Sequence, residues 1–346
     1  MNTPPVLVTQ PEFDKAAAVF TAARGITCRP APADETALAA CVRETGCRAV
    51  VLGVVPYRDA LYDALAANAA GQGALLARFG FGTDSIDKPY ASAKGLTLVN
   101  TPVDIQTSVA ELTLFLIGAL MRRIPSLDAT IRDGGFTAIC GRELCGQTAL
   151  IIGGGKIGLK VARMLHLGFG VRVLICDTAS EADWLPRAGH SRDALREAFG
   201  VETYSQDIDA LLPQADLVTI HLPLTPATSG LIGATRLARM KPGSALINVG
   251  RGGIVDEAAL FDALASGHLG GAASDVFVSE PYAPVAPGKD LRTLPNMVFT
   301  PHCGSNTAEA NARMAASAAQ QAAAFLAGDT SGLSIVPLTP CPPLVF

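Results

Sequence analysis

Short apolar runs alternate along the chain with stretches whose apolar positions fall at helical spacing. The first set of runs predicts strands over Pro5–Thr9, Ala49–Val55, Ala74–Phe79 and Leu96–Asn100. A second set predicts strands over Ala149–Gly153, Val171–Cys176, Leu217–His221, Ala245–Val249, Ala272–Val276 and Met297–Thr300. Between them, Asp59–Ala67, Ile157–Leu167 and Glu257–Ser266 are amphipathic. Apolar strands separated by helices imply parallel sheets covered on both faces. Two such sets give two doubly wound α/β domains rather than one long sheet.

Asn100-Thr101-Pro102 closes the first set, and a long helix from about Ile105 to Met121 leads into the second. The stretch 123–146 is irregular, with Asp133-Gly134-Gly135 inside it, and reads either as a projecting arm or as a connecting loop. After the last strand, Asn306 and Glu309 make a capping-box-like helix start. Met314, Ala318, Ala322 and Phe325 form its apolar stripe, and Gly328 stops it. No strand-helix repeat follows, so this tail is expected to return to the first domain and make it discontinuous.

Composition narrows the function classes. Hydrophobic residues make up 49% of the 346 and charged residues 17%, so much of the chain is buried. A net charge of −4 without any basic run argues against nucleic acid as a partner. The N-terminus lacks a secretory pattern, and the apolar stretch Leu112–Met121, bracketed by Glu111 and Arg122-Arg123, is too short to cross a bilayer. Cys28, Cys41, Cys47, Cys140, Cys145, Cys176, Cys303 and Cys341 show neither CxxC pairs nor zinc spacing. They read as small core residues of a cytoplasmic protein with no metal site, with Cys303 singled out only because it neighbours His302.

The segment ALIIGGGKIGLKVARMLHLGFGVRVLICDT, residues 149–178, supplies strand, Gly153-x-Gly155-x-x-Gly158, helix and a second strand ending in Asp177. Gly153 permits a tight turn, Gly155 admits a pyrophosphate close to the backbone, and Gly158 lets helix and strand approach. The helix N-terminus presents free N–H groups to phosphates. Asp177 is placed to accept ribose hydroxyls and would repel a 2′-phosphate, which favours NAD over NADP. The fold expected is therefore a Rossmann NAD-binding domain, residues 104–303, inserted into a discontinuous flavodoxin-like substrate domain built from 1–103 and 304–346.

Three further residues follow three strands of that second set. Arg251 sits among glycines in INVGRGGIVDEAAL, Glu280 ends SDVFVSEP, and His302 lies between Pro301 and Cys303-Gly304 in NMVFTPHCGSNT. Each taken singly has a structural reading, as an inter-loop salt bridge or a hydrogen-bonded loop histidine. Together they stand at the carboxyl edge where such sheets bind ligands. Arginine's fork suits a carboxylate. A carboxylate beside an imidazole favours the imidazolium, which can protonate a developing alkoxide.

GGGKIG, HLPLTPATSGLI, INVGRGGIVDEAAL, SDVFVSEP and FTPHCGSNT resemble the successive signatures of the D-isomer-specific 2-hydroxyacid dehydrogenases. FGFGTDSID and NTP…SVAELT resemble that family's substrate-domain loop and crossing helix. The resemblance implies an NAD(H)-dependent oxidoreductase interconverting a small 2-oxo acid and its D-2-hydroxy acid, working as a homodimer. By the same resemblance Arg251 anchors the substrate carboxylate, His302 is the general acid and Glu280 its partner. The Phe81 and Gly82 N–H groups bind the carboxylate from the other domain. Lys156, Ile157, Pro223, Thr228, Val249, Gly250, Arg251, Asp275, His302 and Gly304 line the cofactor site, Asp275 towards the nicotinamide. His221 reads as lining or structural. Lysine replaces Phe81 in the family's phosphite dehydrogenases, formate dehydrogenases replace the glutamate, and phosphoglycerate dehydrogenases tend to carry an arginine where LGVVPY has Gly53-Val54. A non-enzymatic NADH sensor on the same fold, or a dehydrogenase using another hydride donor, are the alternative readings.

Overall fold

The structure, a computed structural model, describes residues 5–102 and 105–338. Residues 103 and 104, where the first domain boundary is expected, and the end of the chain with Cys341, lie outside the described residues. The chain forms two compact units. One runs up to Ile105 and resumes at Ser305; the other comprises Gln106–Gly304.

The first unit is built on five parallel strands, β1 Val6–Thr9, β2 Cys28–Ala31, β3 Ala49–Leu52, β4 Ala74–Arg78 and β5 Leu96–Val99. Their order is β2-β1-β3-β4-β5, the flavodoxin-like arrangement. β1, β3 and β4 are buried along their whole length, as strands covered on both faces must be. β2 escapes the apolar pattern for a physical reason. It is an edge strand of sequence CRPA with only Ala31 buried, and an edge tolerates Pro30. The helix Ala308–Leu326 lies against β3 and β4 and buries Met314, Ala318, Ala322 and Phe325. Its cap is Thr307, whose hydroxyl accepts the Ala310 N–H at 3.1 Å. Asn306, expected in that role, instead accepts from the Asn311 side chain at 2.9 Å.

The second unit holds seven parallel strands, β6 Thr148–Ile152, β7 Arg172–Cys176, β8 Val201–Ser205, β9 Leu217–Ile220, β10 Ala245–Asn248, β11 Gly271–Ser274 and β12 Met297–Phe299. The order is β12-β11-β10-β9-β6-β7-β8. The chain therefore reverses its direction of growth between β6 and β9, and the crevice beyond those carboxyl ends is where such sheets take ligands. β8, VETYS, is the other strand the apolar pattern misses, again a half-exposed edge. The helix Gln106–Met121 packs on β10, β11 and β12 and on the helix Lys156–Phe169. The stretch expected to be irregular contains a helix, Ile124–Arg132, with no buried residue. Ile124, Leu127 and Ile131 stand at helical spacing along it, with Ile124 and Ile131 exposed. Both sheets are wholly parallel and doubly wound, as the alternation of runs predicts.

Candidate active site

The carboxyl ends of β10, β11 and β12 are neighbours in the sheet, and each is followed by one ionisable side chain of the candidate site. Arg251 follows β10. The turn that carries it is latched by Asn248, whose side chain donates to the Arg251 carbonyl and accepts the Gly250 N–H, both at 3.0 Å. Gly252 lets this turn meet the next loop, because a Cβ there would lie 1.9 Å from the Phe277 carbonyl carbon.

Glu280 follows β11. Its Oε1 accepts the Phe277 N–H at 3.0 Å, which folds the loop back on itself. Beneath it, buried Glu257 accepts the Val278 N–H at 2.7 Å. Burial by itself would raise the Glu280 pKa. The hydrogen bond from His302, the Phe277 N–H and the charges of His302 and Arg251 outweigh it and hold the carboxyl below its usual value.

His302 follows β12 and occupies left-handed backbone at φ 51°, uncommon for a residue with a Cβ. Asp275 imposes that conformation. This carboxylate is 2% exposed and accepts from Thr300 Oγ1 at 2.6 Å and from the N–H groups of Cys303 and Gly304 at 2.9 Å each, while its carbonyl takes the His302 N–H at 2.8 Å. Asp275 is therefore no solvated strand end; it fixes the loop that presents the histidine. His302 Nδ1 stands 2.7 Å from Glu280 Oε2, and Nε2 has no protein partner among the described residues. The Cys303 thiol is pushed up in pKa by burial and by the Asp275 charge, which disfavours a reactive thiolate.

The glycine loop follows β6. A Cβ on Gly158 would lie 2.2 Å from the Gly153 carbonyl, so the helix can approach the strand only with glycine there. At Gly155 a Cβ would meet open space. The helix Lys156–Phe169 has no side-chain cap, and among the described residues the N–H groups of Gly155, Lys156 and Ile157 have no acceptor. Unsatisfied donors around an open cradle at a helix N-terminus suit a pyrophosphate. Asp177 follows β7 directly, with Oδ2 accepting the Gly154 N–H at 2.9 Å and Oδ1 the Ala179 N–H at 3.2 Å. Each oxygen keeps a lone pair for a ribose hydroxyl. The residues present thus fit a dinucleotide.

Pro223 is exposed, while Thr228 is buried and its hydroxyl donates to the Pro223 carbonyl at 2.7 Å. Thr228, expected to line the cofactor site, therefore shapes the 223–228 turn from within. Val249 and Gly250 are likewise buried, and Gly304 has its N–H committed to Asp275. His221 has Nε2 3.0 Å from the Thr219 hydroxyl and a sealed Nδ1 without a partner among the described residues; burial pushes its pKa down to about 3. It is a neutral structural imidazole at physiological pH.

In the first unit, the loop after β4 turns its carbonyls inward. Gly82 O accepts from Arg78 Nε at 2.8 Å, Phe81 O from Asn100 Nδ2 at 2.8 Å and Gly80 O from the Thr101 N–H at 3.0 Å. The N–H groups of Phe81 and Gly82 have no acceptor among the described residues. Arg78, Asn100, Asn248, Glu257 and Thr300 all support the candidate groups; all but Arg78 fall inside the segments that resemble the family's signatures, but only the contacts of the folded chain give each its part.

Residues 114–304 match the family described as D-isomer specific 2-hydroxyacid dehydrogenase, NAD binding domain. The chain belongs to the D-isomer-specific 2-hydroxyacid dehydrogenases. It is 38% identical over 288 residues to the D-3-phosphoglycerate dehydrogenase of Mycobacterium tuberculosis, covering 81% of this chain and 51% of that one. The chain thus spans about half the length of that curated relative. It is 37% identical over 242 residues to a hydroxypyruvate reductase of Thermotoga maritima, covering 69% of this chain and 73% of the relative. Among solved structures, an NADPH-dependent glyoxylate/hydroxypyruvate reductase of Sinorhizobium meliloti superposes with a TM-score of 0.76 at 26% identity, covering 96% and 99% of the two chains. This dehydrogenase family binds a nicotinamide cofactor, and its named members include both NAD- and NADP-users. Among the described residues no group of His, Cys, Asp and Glu could hold a metal ion, and no helix is long and apolar enough to cross a membrane.

Proposed function

We propose that the protein is an NAD-dependent reductase of small, unphosphorylated 2-oxo acids, forming D-2-hydroxy acids. The observation that carries this reading is the His302–Glu280 contact of 2.7 Å, with Arg251 at the end of the neighbouring strand of the same sheet edge. Bound at the glycine loop, the dihydronicotinamide supplies a hydride to C2 of the oxo acid. Arg251 grips the carboxylate and polarises the C2 carbonyl. His302 donates the Nε2 proton to the oxygen of C2 as it becomes an alkoxide, while Glu280 holds the Nδ1–H and favours the imidazolium. The sum is oxo acid, NADH and one proton giving hydroxy acid and NAD.

Asp275 sets the position of the histidine loop, and its strand end is assigned to the nicotinamide side of the site. Lys156, Ile157, Pro223 and the 249–251 turn are assigned to the cofactor. NAD is favoured because the Asp177 carboxylate would repel a 2′-phosphate and residues 178–180 are Thr, Ala and Ser, with no cation to receive one. The paired N–H groups of Phe81 and Gly82 suit the same ligand group that Arg251 does, a carboxylate. At the end of β3, a side chain on Gly53 would collide with buried Glu12, whose carboxylate lies 2.0 Å from the Cβ position. The family's phosphoglycerate dehydrogenases tend to carry an arginine at this place, so Gly53-Val54 supports an unphosphorylated substrate.

A homodimer is also proposed. Ile124, Ile131 and Phe136 are exposed, Phe136 at 95%, on and just after a helix with no buried residue. Phe136→Asp is expected to shift the mass in solution towards the monomer; a monomeric wild type contradicts the dimer.

The test of the activity is a panel of glyoxylate, pyruvate, hydroxypyruvate, phenylpyruvate and 3-phosphohydroxypyruvate with NADH or NADPH, followed by chiral product analysis. Turnover of an unphosphorylated acid with NADH and a D product is expected. NADH stable towards every 2-oxo acid overturns the proposal.

A further inference from the structure

The glycine loop rests on a floor that the dinucleotide fingerprint does not require. The chain's one tryptophan, Trp184, lies in the helix Glu181–Ala188 that follows Asp177 and is 2% exposed. Its indole Nε1 donates to the Gly154 carbonyl at 2.8 Å. Its ring stacks on Tyr204 of β8 with centroids 4.4 Å apart and planes 24° from parallel. The Tyr204 hydroxyl donates to the Ala179 carbonyl at 2.7 Å, the Ala179 N–H donates to Asp177 Oδ1, and Asp177 Oδ2 accepts the Gly154 N–H. The circuit closes on itself. Gly154 is held by both ends of its backbone, the N–H on Asp177 and the carbonyl on Trp184.

Two consequences follow from that geometry. Gly153, Gly154 and Gly155 are consecutive glycines, the most costly residues to order when a ligand arrives. Fixing one residue beforehand is worth roughly tenfold in affinity. Position 154, between the fingerprint glycines, also becomes restricted here, since a Cβ would lie 2.6 Å from Trp184 Nε1 and 2.8 Å from Ile175 Cγ2.

We propose that Trp184 is a positioning residue for the dinucleotide. It pre-orders the glycine loop and, through Tyr204 and Ala179, the carboxylate of Asp177, and so sets cofactor affinity and the preference for an unphosphorylated ribose without touching the reacting atoms. The proposal rests on reading the glycine loop as the cofactor site.

The test uses the full chain and NADH itself, titrated by the rise in dihydronicotinamide emission. Trp184→Phe keeps a ring on Tyr204 and removes the donor. Its Kd and KM for NADH are expected to rise roughly threefold to tenfold, the worth of one neutral hydrogen bond, with kcat at saturating NADH unchanged and the ratio of NADPH to NADH affinity raised. Trp184→Leu removes the stack too and is expected to weaken NADH further. Gly154→Ala is expected to cost less NADH affinity in the Trp184→Phe background than alone, because the indole it collides with is gone. Wild-type affinity in both Trp184 variants overturns the proposal, as does a fall in kcat with KM unchanged, which marks a merely structural role. Should a Trp184 variant not fold, Tyr204→Phe, which loses only the hydroxyl on Ala179, takes its place with the same expectation for KM and kcat. A wild type that binds neither nucleotide overturns the cofactor-site reading itself, a result distinct from the others.

Discussion

Replacing Glu280 by glutamine changes almost nothing in shape and tests the proposed proton donor directly. Both carboxylate oxygens are in use, Oε1 on the Phe277 N–H at 3.0 Å and Oε2 on His302 Nδ1 at 2.7 Å. An amide offers one oxygen and one NH2. If the oxygen stays on Phe277, the NH2 faces Nδ1, which must then be a bare acceptor, and the imidazolium is excluded. If the amide flips, its NH2 abuts the Phe277 N–H and a backbone donor loses its partner. A hydrogen bond to a charged group is worth about 1.5–3 kcal/mol. The side chains of His302 and Glu280 are 35% and 38% exposed, so solvent screening places this pair at the low end. About 1.5 kcal/mol corresponds to roughly a tenfold change in rate. Glu280→Gln is therefore expected to reduce 2-oxo acid roughly tenfold more slowly at neutral pH. The fall in kcat/KM on the alkaline side should set in at lower pH, with KM for NADH unchanged. The assay is the pH profile of kcat/KM for the oxo acid in the reducing direction. A profile with its midpoint unmoved refutes the reasoning, and so does an equal loss at every pH.

Arg251→Lys keeps the charge and loses the fork, so KM for the oxo acid should rise roughly ten- to a hundredfold while KM for NADH stays put; steady-state kinetics on both substrates checks it. Asp275→Asn puts an amide among three donors, Thr300 Oγ1 and the Cys303 and Gly304 N–H groups. It should lower turnover about tenfold or more and Tm by roughly 5 °C, read by kinetics and calorimetry. His221 sets an acid limit on the fold. Its folded pKa of about 3 lies below the unfolded value near 6.5, so its contribution is whole above about pH 6.5 and shrinks as pH falls towards 3. The loss amounts to about 2 kcal/mol by about pH 5. His221→Gln should flatten that part of the stability profile, measured as Tm against pH.

What the sequence revealed and what it hid have a common cause. Strands buried on both faces, such as β6 TALII and β10 ALIN, announce themselves as apolar runs, and the residues placed just after them inherit their position at the sheet edge. Arg251, Glu280 and His302 were legible for that reason. β2 and β8 were not, because edge strands keep one side in water and lose the run. The helix Ile124–Arg132 was legible in the spacing of Ile124, Leu127 and Ile131, although the glycines after it suggest a loop. The residues that support the site were the least legible. Asp275 and Trp184 act through backbone atoms distant in sequence, Asp275 reaching Cys303 and Trp184 reaching Gly154 thirty residues away, and no local spacing records such a bond. Thr228 shows the reverse, a motif position whose hydroxyl is spent inside its own turn.

The most direct test of the central claim is the fate of the hydride. The wild-type protein is given NADH carrying deuterium at both C4 positions with the best oxo acid of the panel, and the hydroxy acid is examined by mass spectrometry and chiral chromatography. The account expects one deuterium at C2 of a D-2-hydroxy acid, and a rate that His302→Asn lowers roughly 10²–10⁴-fold without loss of NADH binding. A product without the label, or a His302→Asn variant as fast as the wild type, would contradict it.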